Sequence, residues 1–245
     1  MKYIMGICLL IVFTNCSAQK EKEMELDNIQ PMIVPSNYVE GGFDLPHLKI
    51  KNKEFIVCWV RNFESSNSYI LREEYEQLNK QNPNWKREAT ENLRESEFFQ
   101  KYNQRNEKGE VIWISFMNDL DAVSSSKILL SPELKKIFPE GYWIGTPNRV
   151  VGFAISKKCN DKELKEVKEF VSSMYDMHGS PNSREIFDSE DFKLPKEIVE
   201  PIDKELSKSI VEFVLNNDES SDEKEEEIIQ SSEIENKKSW WKFWK

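Results

Sequence analysis

The side chains best suited to chemistry cluster just after an apolar run. Val111-Ile112-Trp113-Ile114-Ser115-Phe116-Met117 reads as a strand buried on both faces, and Asn118, Asp119 and Asp121 follow it directly. Loops leaving the end of such a strand are where α/β proteins often place catalytic and ligand-binding groups. Two carboxylates there can hold Mg²⁺ or Ca²⁺, or one can act as a general base, which makes Asp119 and Asp121 the candidate catalytic residues. The same residue types also build turns, because their side chains satisfy nearby backbone groups. Asn148-Arg149 is the second candidate, since a guanidinium fork reads carboxylate or phosphate. That pair equally suits a hairpin turn with an exposed arginine. Asn118 and Arg149 are thus the candidate ligand-binding residues.

Other catalytic patterns are incomplete. Ser124-Ser125-Ser126-Lys127 matches S-x-x-K and Ser180-Pro181-Asn182 matches S-x-N, but no Lys-Thr-Gly strand follows and no glycine occurs after Gly179. No P-loop, dinucleotide fingerprint, G-x-S-x-G or H-E-x-x-H is present. The two histidines, His47 and His178, lack metal-ligand spacing to other strong ligands. No metal site and no cofactor is expected. A net charge of −10, with basic residues interleaved among acids, argues against a nucleic-acid partner.

The elements that position these groups occupy the middle of the chain. Residues 1–18 read as a signal peptide, because Lys2 precedes an apolar run from Ile4 to Phe13. As a helix that run covers roughly 15 Å, half of a bilayer core of about 30 Å. Phe13-Thr14-Asn15-Cys16 resembles a loose lipobox, which would make Cys16 the lipidation site, although Phe13 and Asn15 depart from the usual pattern. Cleavage after Cys16-Ser17-Ala18 is the competing reading, and it would leave a soluble periplasmic or secreted protein. Export permits a disulfide between Cys58 and Cys159, but Cys58 lies in an apolar strand-like run that suits a buried free thiol.

Residues 19–45, with Pro31, Pro35, Gly41 and Gly42, read as a linker containing a short packed piece around Met32-Ile33-Val34. Residues 46–215 read as one α/β domain with a mixed sheet, hairpins and packed amphipathic helices, and the same elements also fit an α+β arrangement. Turns at Lys51-Asn52-Lys53 and Pro147-Asn148-Arg149 predict two hairpins. Helical spacing predicts helices over 69–80, 88–102, 131–138, 160–177 and 201–215, the last with Ile202, Leu206, Ile210, Phe213 and Val214 on its apolar face. Glu185-Ile186-Phe187 predicts an edge strand. Residues 216–245 read as an acidic disordered tail ending in a Trp/Lys-rich segment. Trp240, Trp241, Phe243 and Trp244 suit a membrane-interface anchor, a docking peptide for a protein partner, or an unstructured end, and the preceding acids weaken the membrane reading.

The segments Ser115-Phe116-Met117-Asn118-Asp119, Ser125-Ser126-Lys127-Ile128-Leu129-Leu130, Phe138-Pro139-Glu140-Gly141-Tyr142 and Thr146-Pro147-Asn148-Arg149 together resemble the bacterial YtpQ-like family, domain of unknown function 1444. The resemblance spans roughly residues 47 to 190 and implies one α/β domain with no established activity. Members of that family are often intracellular, so the export signal and acidic-aromatic tail are departures. The expectation is an exported lipoprotein acting as a non-enzymatic binding or accessory module of the cell envelope. The alternative is an envelope enzyme using the Asn118/Asp119/Asp121 loop, with or without a metal ion.

Overall fold

Alternating apolar residues build two antiparallel sheets that share a core. The computed structural model describes residues 26–40, 42, 44–63, 66–96, 100, 102–117, 123–177 and 181–216. The first sheet comprises β1 (Ile29–Pro35), β2 (His47–Lys49), β3 (Phe55–Phe63) and β4 (Ser66–Tyr69). β3 is its spine, pairing with β1 along one edge and with β2 and β4 along the other. The second sheet has the order β5-β6-β8-β7-β9, where β5 is Tyr102–Arg105, β6 Val111–Met117, β7 Tyr142–Gly145, β8 Val151–Ser156 and β9 Ile186–Asp188. β6 has partners on both sides, as its two apolar faces predict, and β9 lies at an edge. The β2–β3 and β7–β8 hairpins form where the turn residues predict them.

Two expectations are corrected. All described pairings are antiparallel, so two antiparallel sheets stand in place of one mixed sheet, and the α+β variant of the expected class is the one observed. The linker expected over 19–45 contains β1, whose residues from Ile29 to Val34 are all buried. Pro31 reads as a breaker, yet proline is tolerated on an edge strand where its missing N–H leaves no ladder bond unmade. Ile33, at the same parity, turns its N–H out of the ladder to Ser126 Oγ at 3.0 Å. Asn92 Nδ2 donates to Leu26 O at 2.7 Å and Ile29 O at 2.9 Å, closing the rest of that edge.

The main core lies between the sheets, with Ile33, Phe55 and Val57 packed with Ile114, Phe116, Ile144 and Ala154. Helices α1 (Arg72–Gln81), α2 (Trp85–Glu95), α3 (Ser131–Ile137), α4 (Asp161–Met177), α5 (Lys196–Val199) and α6 (Lys204–Asn216) surround it. α4 covers the opposite face of the second sheet through Val167, Val171 and Met174. It starts where predicted because Asn160 and Glu163 form a reciprocal capping box, with Oδ1 accepting Glu163 N–H at 3.0 Å and Oε2 accepting Asn160 N–H at 2.9 Å.

α1 begins three residues later than predicted, since Tyr69 belongs to β4. α2 begins at Trp85, three residues earlier, because that indole is fully buried against Trp59 and Tyr75. α6 buries Ser207, Ile210, Val211 and Val214, while Ile202 and Phe213 are 50% and 51% exposed. The expected face is therefore rotated. α2 fixes that rotation by gripping the chain before α6: Glu91 accepts the N–H groups of Ile202 and Asp203, and Arg87 donates to Glu200 O and Pro201 O.

No helix among the described residues is long and apolar enough to cross a membrane. Residues 1–25, including Cys16, and residues 217–245, including Trp240, Trp241, Phe243 and Trp244, lie outside the described residues.

Candidate functional site

β6 ends at Met117, which pairs with Val151, so Arg149 sits at the end of the second sheet where the chain leaves β6. Asn118, Asp119 and Asp121 lie outside the described residues. The turn carrying Arg149 is held by its neighbour. Asn148 is fully buried, donates from Nδ2 to Met174 O at 3.0 Å, and accepts the N–H groups of Val150 and Val151 at 3.0 and 2.9 Å. Asn148 is thus the bracket, and Arg149 is the group it presents.

The Arg149 guanidinium carbon lies 4.7 Å from the ring centroid of Tyr38, in the 3₁₀ segment Ser36–Val39. Its Nε is buried without a hydrogen-bond partner. Desolvation is the cause that lowers its pKa, with no carboxylate offsetting it. Every other arginine among the described residues is engaged. Arg61 pairs with Glu74, Arg72 with Asp44, Arg94 with Glu91 and Glu133, and Arg184 with Asp176. Arg87 and Arg105 donate to backbone carbonyls. Arg149 alone faces the cost of dehydrating a cation with only an aromatic face in return.

The 3₁₀ segment Ser124–Leu129 packs beside this turn, with Ser125 N–H donating to Arg149 O at 3.3 Å. Its S-x-x-K pattern has a structural use. Lys127 is fully buried, and its ammonium donates to Leu93 O (3.2 Å), Ser96 O (2.9 Å) and Ser96 Oγ (2.7 Å). These acceptors lie at the carboxyl end of α2, where a cation complements the helix dipole. Ser180, which opened the S-x-N pattern, lies outside the described residues. Tyr38 carried no sequence signal as a partner for Arg149, because nothing local links two residues so far apart in the chain.

Cys58 and Cys159 are both free thiols. Burial pushes Cys58 up to about 12 and Cys159 up to about 11, with Glu163 also raising the latter. At pH 8 a thiol titrating near 11 instead of 9.0 has about a hundredfold less thiolate, the reactive form. Native-state iodoacetamide labelling of Cys159, read by peptide mass spectrometry, should therefore be about a hundredfold slower than in denaturant and rise tenfold per pH unit. Equal native and denatured rates would refute that environment. His47 Nδ1 contacts Leu45 O at 2.9 Å. Among the described residues, no group of three or more His, Cys, Asp or Glu is placed to hold a metal ion.

The chain matches no family model, no curated protein and no solved structure, so the YtpQ-like resemblance gains no support from these comparisons. The class that can be stated is an α+β body of two antiparallel sheets and flanking helices.

Proposed function

We propose that this protein is an exported binding module of the cell envelope, tethered through Cys16, that recognises an anionic ligand through Arg149. The observation carrying the reading is the unpaired, half-buried guanidinium on Tyr38. A carboxylate or phosphate oxygen would replace the water that Arg149 has lost and accept its free N–H groups, forming charge-assisted hydrogen bonds. Tyr38 holds the guanidinium plane, so little side-chain entropy remains to be lost on binding. The short apolar run before Cys16 supports the tether.

Isothermal calorimetry of the full chain with inorganic phosphate and succinate tests the site. Arg149→Gln should weaken binding at least about tenfold, the scale of one charged hydrogen bond. Its unliganded melting temperature should hold or rise, because an uncompensated cation has been removed. Native protein that binds neither anion, or a glutamine variant that binds equally well, would sink the assignment. Loss of fatty-acid labelling in Cys16→Ser separately tests the tether, and retained labelling would overturn it.

A further inference from the structure

The outer face of the first sheet carries a neutral polar row that the fold itself does not use. Cross-strand register places Gln30 of β1 opposite Val60 of β3, and Val60 opposite Tyr69 of β4. Asn62 of β3 stands opposite Asn67 of β4, one step along the same face. These side chains share the face of Met32, Cys58 and Val60, against whose cluster Tyr69 packs. Gln30 Oε1, Asn67 Oδ1 and Tyr69 OH are each buried with no hydrogen-bond partner. Gln30 is 6% exposed, whereas Asn62, Asn67 and Tyr69 are half-buried, so the row is closed at the β1 end and open towards β4.

Buried polar atoms without partners are few in native proteins, and each one opposes folding. Three on a single face, over adjacent strands, are a set rather than scattered accidents. Their chemistry defines what would satisfy them. Two amide oxygens demand donors, and a phenol both gives and accepts. None of the four polar side chains carries a charge, so an ion gains no partner at this end of the face. Backbones two strands apart are separated by about 10 Å, which leaves the Gln30 and Tyr69 side chains to meet a ring-sized molecule over Val60. The phenol ring adds an apolar face for C–H groups.

We infer that this row binds a neutral polyhydroxylated ligand, a sugar ring, at a site distinct from the Arg149 turn. The reading does not depend on anion recognition, and its probes carry no charge. D-glucose and N-acetyl-D-glucosamine at saturating concentration should raise the melting temperature of the full chain by about 3 °C, with matching calorimetric heat.

Tyr69→Phe and Gln30→Met should abolish that rise. Their own melting temperatures without sugar should equal or exceed the native value, because each removes an unsatisfied buried atom while keeping the side chain's bulk. If neither sugar shifts the native protein, or if both variants respond as native does, the inference falls. It falls also if both variants melt lower without sugar, since those atoms would then be satisfied by ordered water only. Asn62→Ser, on the open side, shortens a contact without touching the core and should weaken the sugar response while leaving the unliganded melt unchanged.

Discussion

Replacing Arg94 with alanine should lower the unfolding free energy by about 3–5 kcal/mol, the usual range for breaking a buried ion pair by removing one partner. The Arg94 and Glu133 side chains are both 0% exposed, and Nε to Oε1 is 2.9 Å. A second bond at 2.9 Å joins Nη1 to Glu91, and Nη2 donates to Val199 O. Alanine would leave Glu133 buried with no printed partner for either oxygen, since Oε2 already has none. It would also loosen the grip on residues 199–203, which Glu91 holds through the N–H groups of Ile202 (3.0 Å) and Asp203 (2.9 Å). Urea denaturation measures the loss. The double variant Arg94→Met/Glu133→Leu should recover much of it, because replacing a whole buried pair by apolar groups is often neutral or better. A single-variant loss below about 1 kcal/mol, or a double variant worse than the single, would show that the pair is not carrying the junction of α2 with α5 and α6.

That junction marks the boundary of what was legible in the sequence. β6, the β7–β8 turn and the start of α4 rest on local signals, an apolar run, a Pro-Asn-Arg turn and an Asn-to-Glu capping box, and all three appear where expected. β1 was read as linker because Pro31 and Pro35 look like breakers, while its permission to be a strand comes from Ser126, 93 residues away. The buried face of α6 was misjudged for a similar reason, since Glu91 sets it from 111 residues upstream. A charged side chain normally signals surface, so nothing local announces that Lys127 and Arg94 are fully buried.

The site divides in the same way. Arg149 was legible as a group with recognition chemistry. What makes it a candidate is the missing counter-charge and the ring beneath it, and both are properties of tertiary neighbours. Asn148 was paired with it as a turn residue, and the turn reading is the one its three hydrogen bonds support. The amide and phenol row was invisible because Gln30, Val60 and Tyr69 become neighbours only through strand register.

Gly152→Ala should cost about 3 kcal/mol, at the upper end of the range for overpacking a core. A methyl on Gly152 would lie 2.7 Å from Ser125 O, 2.9 Å from Ser125 Cα and 2.9 Å from Ile128 Cγ2. Two of those atoms are backbone or Cα, and that backbone is pinned. Ser126 N–H bonds Val123 O at 2.8 Å, Ser126 Oγ holds Ile33 N–H, and Lys127 is anchored in the end of α2. The 3₁₀ segment therefore cannot slide without breaking several buried bonds.

Gly145→Ala is the informative control. Its methyl would meet Val171 Cγ2 at 2.9 Å, a side-chain atom on a surface-lying helix that can give a few tenths of an ångström, so a cost of about 1 kcal/mol is expected. The two variants should also differ at the site. Displacing Ser125 strains its bond to Arg149 O, so Gly152→Ala should weaken phosphate or succinate binding along with stability, whereas Gly145→Ala should leave that affinity intact. Paired denaturation and calorimetry on the two variants decide the matter. Equal destabilisation, or anion affinity lost in Gly145→Ala and kept in Gly152→Ala, would mean that the 3₁₀ segment neither resists displacement nor sets the position of Arg149.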